Sequence, residues 1–283
     1  MFERLINNNI PYVSLKYQRR MKPIFADFVR IIYGEDQYED YQDVKNKEKV
    51  KGMVNDMFII EHNELESDNA LMSSKENDYE ARFLARLSQY LGKQGYKKNQ
   101  ITILTFYRAQ VLLIKKYFKL NHITKIKVTT VDDYQGYECD IILLSLVRSN
   151  PNYEIGFLKI FNRVCVAFSR AKIGFYIIGN INCIIKGESL LEENYKNNSI
   201  KNENEFNPKI FGVWKKIYKK ALELKIIGTD LILECQTHKN LTIIKSYKDF
   251  DNIPYGGCKI KCKKKRNVDI YAINIVIILI VKN

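Results

Sequence analysis

Several things are scarce in this chain of 283 residues, and each scarcity excludes something. Uninterrupted apolar text is one: Ile270–Val281 is broken by Tyr271 and Asn274 and is too short for a membrane-spanning helix, which needs about 20 residues. No membrane insertion is expected. The start, Met1–Asn9, lacks the apolar centre of a secretory leader. Of the 6 cysteines, most stand singly in apolar surroundings, which fits a reducing compartment, cytoplasmic or nuclear, better than a disulfide framework. Acidic side chains are outnumbered, 32 against 46 Lys and Arg, for a formal charge of +14 and a pI near 9.3. That balance favours a polyanionic partner, since cations placed at phosphates release condensed counterions. Charge alone separates neither RNA from DNA nor a partner from a merely Lys-rich composition.

What is present is enough to build a core, with 46% hydrophobic residues and a length suited to roughly one large domain or two small ones. Strand-like and helix-like stretches alternate. Strands are expected at Tyr12–Leu15, Met57–Ile60, Ile101–Thr105, Ile126–Val131, Ile141–Leu144 and Phe175–Gly179, and helices at Pro23–Tyr33, Asn77–Gln94 and Gln110–Phe118. Segments 34–52 and 63–74 read as surface excursions. The alternation predicts an α/β fold with a mostly parallel sheet covered by helices. Residues 186–208, polar and rich in Asn, read as a linker or insertion. Phe211–Ile227 has the pattern of a basic amphipathic helix, which either meets RNA or packs its apolar face inward with its lysines in solvent.

The most specific text is Val131–Ser149, VDDYQGYECDIILLSLVRS, followed by Asn162–Lys172, NRVCVAFSRAK, and preceded by Leu15–Pro23, LKYQRRMKP. These ordered blocks resemble the second RecA-like domain of superfamily 1 helicases. Their details are most similar to the helicases containing NFX-type zinc fingers, associated with RNA silencing and antiviral RNA sensing. The resemblance covers about residues 1–260. It implies a three-layer RecA-like domain over 1–185, the polar segment 186–208, a small basic α+β extension over 209–262 and a tail from 263. The implied function is the C-terminal half of an ATP-dependent RNA helicase, using ATP with Mg²⁺. The other reading is a non-catalytic module that binds RNA or docks a partner in silencing or surveillance complexes; a DNA helicase of the same superfamily is a third.

By the same resemblance, Arg20 and Arg170 are the catalytic guanidinium groups that reach the γ-phosphate. A planar, permanently charged fork suits that task. Gln18, Arg19, Gln135, Gly136 and Glu138 are the implied nucleotide-binding residues. Position 19 is Arg where the family has Tyr or His, and a guanidinium can still stack through its planar face. Tyr107, Thr130, Ser145, Arg148 and Ser149 are implied to line the nucleic-acid groove, with Tyr107 either stacking on a base or capping a helix against the sheet. Asp132–Glu138 and Arg20 are expected at the carboxyl ends of strands, where ligands of such sheets bind.

Half of an ATPase is missing from this text. No G-x-x-x-x-G-K-[ST] occurs, since Gly92-Lys93 is followed by Gln94 without a glycine at the required spacing. No acidic pair ends a strand where a metal ion is needed, so the Walker A and Walker B functions, in a first RecA-like domain, are expected upstream of Met1. For zinc, Cys235-x-x-His238 and Cys258-x-x-x-Cys262 are loosely spaced and far apart, so no metal site is read within the chain, although Cys258 and Cys262 are candidates. In the resembled proteins a similar Gly-Gly-Cys-x-x-x-Cys leads into zinc modules. Asn267–Ile277 can be written in codons that, shifted by two bases, spell Cys-Gly-His-Ile-Cys-His-Lys-Tyr-Cys-His. The tail from Asn267 is therefore expected to be frameshifted, with the zinc-binding array lost.

Overall fold

Three apolar runs show no in–out alternation. Met57–Glu61, Ile101–Thr105 and Cys139–Ser145 are buried on both faces, as inner strands of a parallel sheet are. The computed structural model describes residues 4–5, 8–13, 15–33, 38–197, 212–253 and 258. Its strands are β1 (Tyr17–Gln18), β2 (Glu39–Asp40), β3 (Met57–Glu61), β4 (Ser67–Asn69), β5 (Ser74–Glu76), β6 (Ile101–Thr105), β7 (Lys127–Thr130), β8 (Cys139–Ser145), β9 (Ala171–Gly179), β10 (Ile227–Gly228), β11 (Leu231–Glu234) and β12 (Leu241–Ile244). Its helices are α1 (Pro23–Tyr33), α2 (Gln42–Lys45), α3 (Asp78–Lys93), α4 (Arg108–Leu120), α5 (Phe161–Phe168), α6 (Ile181–Asn197) and α7 (Val213–Glu223). The main sheet has six strands in the order β10-β3-β9-β8-β6-β7, every neighbouring pair parallel. The expected α/β class is what the chain adopts.

Local chemistry sets the helix ends. Pro23 opens α1, where its missing N–H costs no hydrogen bond. Asn77 caps α3 by accepting the Glu80 N–H at 3.2 Å, and after the last turn Gly95 takes φ +100°, a conformation that a β-carbon disfavours. Phe25 and Phe28 of α1, Phe83, Leu84 and Leu87 of α3, and Phe168 of α5 are fully buried within one continuous core.

Five expectations change. The Tyr12–Leu15 strand is not there: residues 12 and 13 have no regular structure, 14 lies outside the described residues, and the short strand comes later, at β1. The excursion after residue 33 holds β2 and α2 and buries Val44 and Val50. The linker does not begin at 186. α6 runs on to Asn197, and a Cβ at Gly187 would run into the Tyr153 carbonyl. Buried Glu188 accepts the N–H groups of Trp214 and Lys215, at 3.0 and 3.1 Å, fastening the start of α7. Nor is the region after 209 a separate small unit. Trp214, Ile217 and Ala221 of α7 join the main core, β10 extends the main sheet beside β3, and Phe250 packs on Phe83. α7 thus packs its apolar face inward. Finally, Cys235, His238 and Cys258 come together, because the β11–β12 hairpin and the 3₁₀ segment Tyr247–Asn252 turn the chain back. Cys262, the zinc-array residues and the proposed frameshifted tail lie outside the described residues. Among the described residues no helix is long and apolar enough to cross a membrane.

Candidate functional site

Parallel pairing of β8 with β9 sets Cys139 opposite Ala171, so the residues just before them, Glu138 and Arg170, start side by side. The Cys139 N–H donates to the Arg170 carbonyl at 3.1 Å. Lys172, one step into β9, reaches one oxygen of Glu138 at 2.6 Å, and Arg20 Nε reaches the other at 2.6 Å. Arg20 also donates from a terminal guanidinium nitrogen to the Ser169 carbonyl at 3.0 Å. Arg170 donates to the Ser169 hydroxyl at 2.9 Å, to the Val166 carbonyl at 2.9 Å and to the Tyr137 carbonyl at 3.2 Å. Arg20 and Arg170 therefore meet on Ser169, although Arg20 lies 149 positions earlier in the chain. The hydrogen bonds from Lys172 and then Arg20 pull the Glu138 carboxyl down to about 2, so it stays ionised at neutral pH.

The turn that carries Arg20 is braced from within. The Gln18 side-chain oxygen accepts the N–H groups of Arg20 and Met21 at 3.0 and 2.8 Å, while its NH₂ donates to the Met21 carbonyl and to Asp40. Arg19 lies over the Tyr41 ring, 3.8 Å from its centroid. Gln135 and Gly136 are exposed at the crest of the loop, where Gly136 takes φ +88°. Behind them the Tyr134 hydroxyl donates to the Glu138 carbonyl at 3.2 Å. Lys127 covers the exposed Tyr137 ring at 4.1 Å.

One part of the placement corrects the sequence reading. Glu138 sits at the amino end of β8, not at a carboxyl end, beside Arg170 and Lys172 at the amino end of β9, and Arg20, which follows the carboxyl end of the short β1, meets them at this amino edge of the main sheet. The loop 131–138 leaves the carboxyl end of β7 and crosses back to the start of β8, because both strands point the same way with β6 between them. Only its first residues stay at the carboxyl edge.

At that carboxyl edge lie the residues assigned to nucleic acid, and most face inward. Ser145 is fully buried, donating to Glu80 and accepting from Gln110 at 3.0 Å. Arg148 is buried against Glu66 at 3.2 Å and also reaches Glu154. The buried Ser149 hydroxyl accepts from Asn180 at 2.9 Å, and its N–H donates to Glu66 at 2.6 Å. In this conformation the three side chains point inward and shape the loop after β8. Thr130 donates to Asp133 at 2.6 Å. Tyr107 is 4% exposed and its hydroxyl accepts the Phe157 N–H at 3.1 Å, so of the two readings left open the packed one matches this conformation. Burial pushes its hydroxyl pKa up.

Exposed chemistry at this edge comes from Phe157, which stacks near Tyr107 and lies under Arg163, 4.4 Å from the ring centroid. Arg163 is itself held by Asp132 at 2.8 Å. Sequence reading missed Phe157, Arg163 and Lys172 as site residues. Lys172 was the findable one, since it ends the VAFSRAK block two positions after Arg170.

A family profile described as "AAA domain" matches residues 1–182. The chain is similar to mouse (Mus musculus) "NFX1-type zinc finger-containing protein 1", 39% identical over 93% of this chain. It is 41% identical over 67% of its length to "Helicase required for RNAi-mediated heterochromatin assembly 1" of Schizosaccharomyces pombe. With "ATP-dependent helicase NAM7" of Saccharomyces cerevisiae it shares 32% identity over 64% of its length. The chain spans only 12, 19 and 20% of the lengths of these three relatives. An α/β sheet with two arginines at one edge, and a profile match across most of that sheet, lead to one assignment: the chain belongs to the AAA-domain family of superfamily 1 helicase type.

Proposed function

We propose that this chain is the second RecA-like half of an ATP-dependent RNA helicase motor, with Arg20 and Arg170 as its phosphate-facing cations. The observation that carries the reading is their meeting on Ser169 beside Glu138 and Lys172. This donor set fits a polyphosphate: the Arg20 guanidinium and the Lys172 ammonium pair with one carboxylate at a partly exposed edge, and the Arg170 guanidinium sits beside them on Ser169. ATP, bound with Mg²⁺, supplies the phosphoryl group and the free energy of its hydrolysis. Arg20 and Arg170 hold positive charge where charge builds on the transferring group. Glu138 keeps Arg20 and Lys172 extended toward the edge and is the anion that incoming phosphate oxygens displace. Gln18 holds the Arg20 turn rigid, Arg19 and Tyr41 offer a stacking face to the base, and Gln135 with Gly136 forms the movable crest between this edge and the nucleic acid.

The phosphate cradle and the Mg²⁺ ligands then belong to the first RecA-like domain, facing this edge, because the 283 residues contain no such motif. The basic charge asks only for a polyanion; RNA is the favoured strand on the similarity to the helicase named for RNAi-mediated heterochromatin assembly. Cytoplasm or nucleus is the proposed setting, and silencing or surveillance complexes are the proposed partners. The test is on the longest product of the gene. RNA-stimulated ATP hydrolysis should appear there and fall by about 10³-fold or more in Arg170→Ala, while the 283-residue chain alone should hydrolyse no ATP. A longer product without turnover would support the module that only binds RNA. Turnover by the isolated chain, abolished in Arg170→Ala, would overturn the division between two domains.

A further inference from the structure

The β11–β12 hairpin ends in a tight turn that carries two metal-ligand side chains. Cys235 follows β11 directly, and its N–H donates to the Asn240 carbonyl at 2.9 Å, closing the turn. The Lys239 N–H returns to the Cys235 carbonyl at 2.8 Å, with Lys239 at φ +57°. This folds His238 back over Cys235. Nδ1 of His238 lies 3.8 Å from the Cys235 sulfur and 3.4 Å from the sulfur of Cys258, and the three ligand atoms all fall within 4.8 Å of one another. Tetrahedral zinc, with its usual Zn–S and Zn–N bond lengths, puts adjacent S and N ligands roughly 3.6 Å apart and adjacent sulfurs roughly 3.8 Å apart. The observed spacing brackets that separation.

We infer that Cys235, His238 and Cys258 form a structural zinc site, distinct from the nucleotide edge and independent of the helicase reading. Both sulfurs are buried, at 3 and 1% exposure, while His238 stands at the rim. Donors already point at the sulfurs, as thiolate ligands require: the His238 N–H to Cys235 at 3.5 Å and the Asn240 side-chain NH₂ to Cys258 at 3.8 Å. Binding sends the two thiol protons to solvent and uses the lone pair of neutral His238, so two thiolates balance the dication. A sulfur-rich set with one imidazole selects zinc over hard cations. Water takes the fourth position beside the three protein ligands. The metal would clasp Cys258 to the hairpin. The hairpin in turn is held to the main domain through Val54 and Glu234, whose N–H groups bond to Ile232 and Gly52.

The test uses the full 283-residue chain purified without chelator. About one zinc per chain should survive dialysis, and cobalt exchanged for it should give a thiolate-to-metal charge-transfer band with tetrahedral d–d bands. Cys235→Ser, His238→Ala and Cys258→Ser should each weaken cobalt binding by more than about tenfold, while Cys183→Ser, at a buried thiol elsewhere, should leave it unchanged. Failure of the unaltered chain to hold zinc or to give the cobalt band would overturn the site without involving any variant. So would affinity unchanged in Cys235→Ser and Cys258→Ser, or a disulfide between those two sulfurs in the chain isolated without reductant.

Discussion

Glu138 is the residue on which the arginine edge is arranged, and its ionisation gives a signed prediction. Its carboxyl titrates at about 2 in the folded chain against an ordinary 4.5, because Lys172 and Arg20 donate to it. A depressed value in the folded state means that the stabilisation is fully present above 4.5 and fades as pH falls toward 2. Glu138→Gln should therefore lower the urea midpoint at neutral pH, with the difference from the parent shrinking below pH 4.5 and vanishing near pH 2. The effect should be small and salt-sensitive, since the carboxylate is 39% exposed. A pH-independent difference would mean that Glu138 acts through packing and not through charge. Ser169 shows a different economy at the same scale, its carbonyl receiving Arg20 and its hydroxyl Arg170, so that one small residue sets the separation of two cations.

At the scale of elements, the loop after β8 depends on buried carboxylates. Val147 adopts φ +70°, which a β-branched residue rarely does, and its N–H is held by both oxygens of Glu80 at 3.0 Å. Glu80 is fully buried and also receives the Ser145 hydroxyl and lies 3.1 Å from His62. Removing that carboxylate strands buried donors, so Glu80→Ala should cost about 3 kcal/mol or more of unfolding free energy, read by urea titration. A loss below about 1 kcal/mol would show that the loop finds other partners. The strands β3, β6 and β8 were legible in the sequence because inner parallel strands are continuous apolar text, and α1 and α3 because Pro23 and Asn77 mark their starts. The anchors Val44 and Val50 were hidden among charges. The end of α6 was hidden because Glu188 finds its partners 26 and 27 residues later, at Trp214 and Lys215. For the site, the motifs named Arg20, Arg170 and Glu138 but not the edge they occupy. A loop that crosses a sheet does not announce where it lands. The inward-facing Ser145, Arg148 and Ser149 were unreadable for a related reason, since polar text at a strand end looks the same whether it meets solvent or a buried Glu66. The cysteine cluster was hidden by a hairpin that turns a gap of 20 positions into 3.4 Å between His238 and Cys258.

Across the whole molecule, the Arg20–Arg170 cluster and the exposed Phe157–Arg163 pair lie on opposite edges of one sheet. A chain with a formal charge of +14 should bind single-stranded RNA with affinity that falls steeply as salt rises. If the exposed Phe157 ring under Arg163 stacks on a base, Phe157→Ala should weaken binding by about 1–3 kcal/mol, measured by fluorescence anisotropy. Arg170→Ala, at the other edge, should change RNA affinity by less than about twofold once its single charge is allowed for. Equal losses in both variants would mean that RNA runs over the arginine edge instead. β8 joins the two regions: Glu138 precedes its first residue and the Val147 loop follows its last. Its seven residues span about 23 Å at the usual rise per residue. A stiff rod of that length, clamped on both sides by β6 and β9, has little give along its axis. A displacement imposed at one tip is delivered to the other as translation or tilt of the entire sheet, so the stroke of such a motor would be set by how far the domain rocks and not by how far any loop bends.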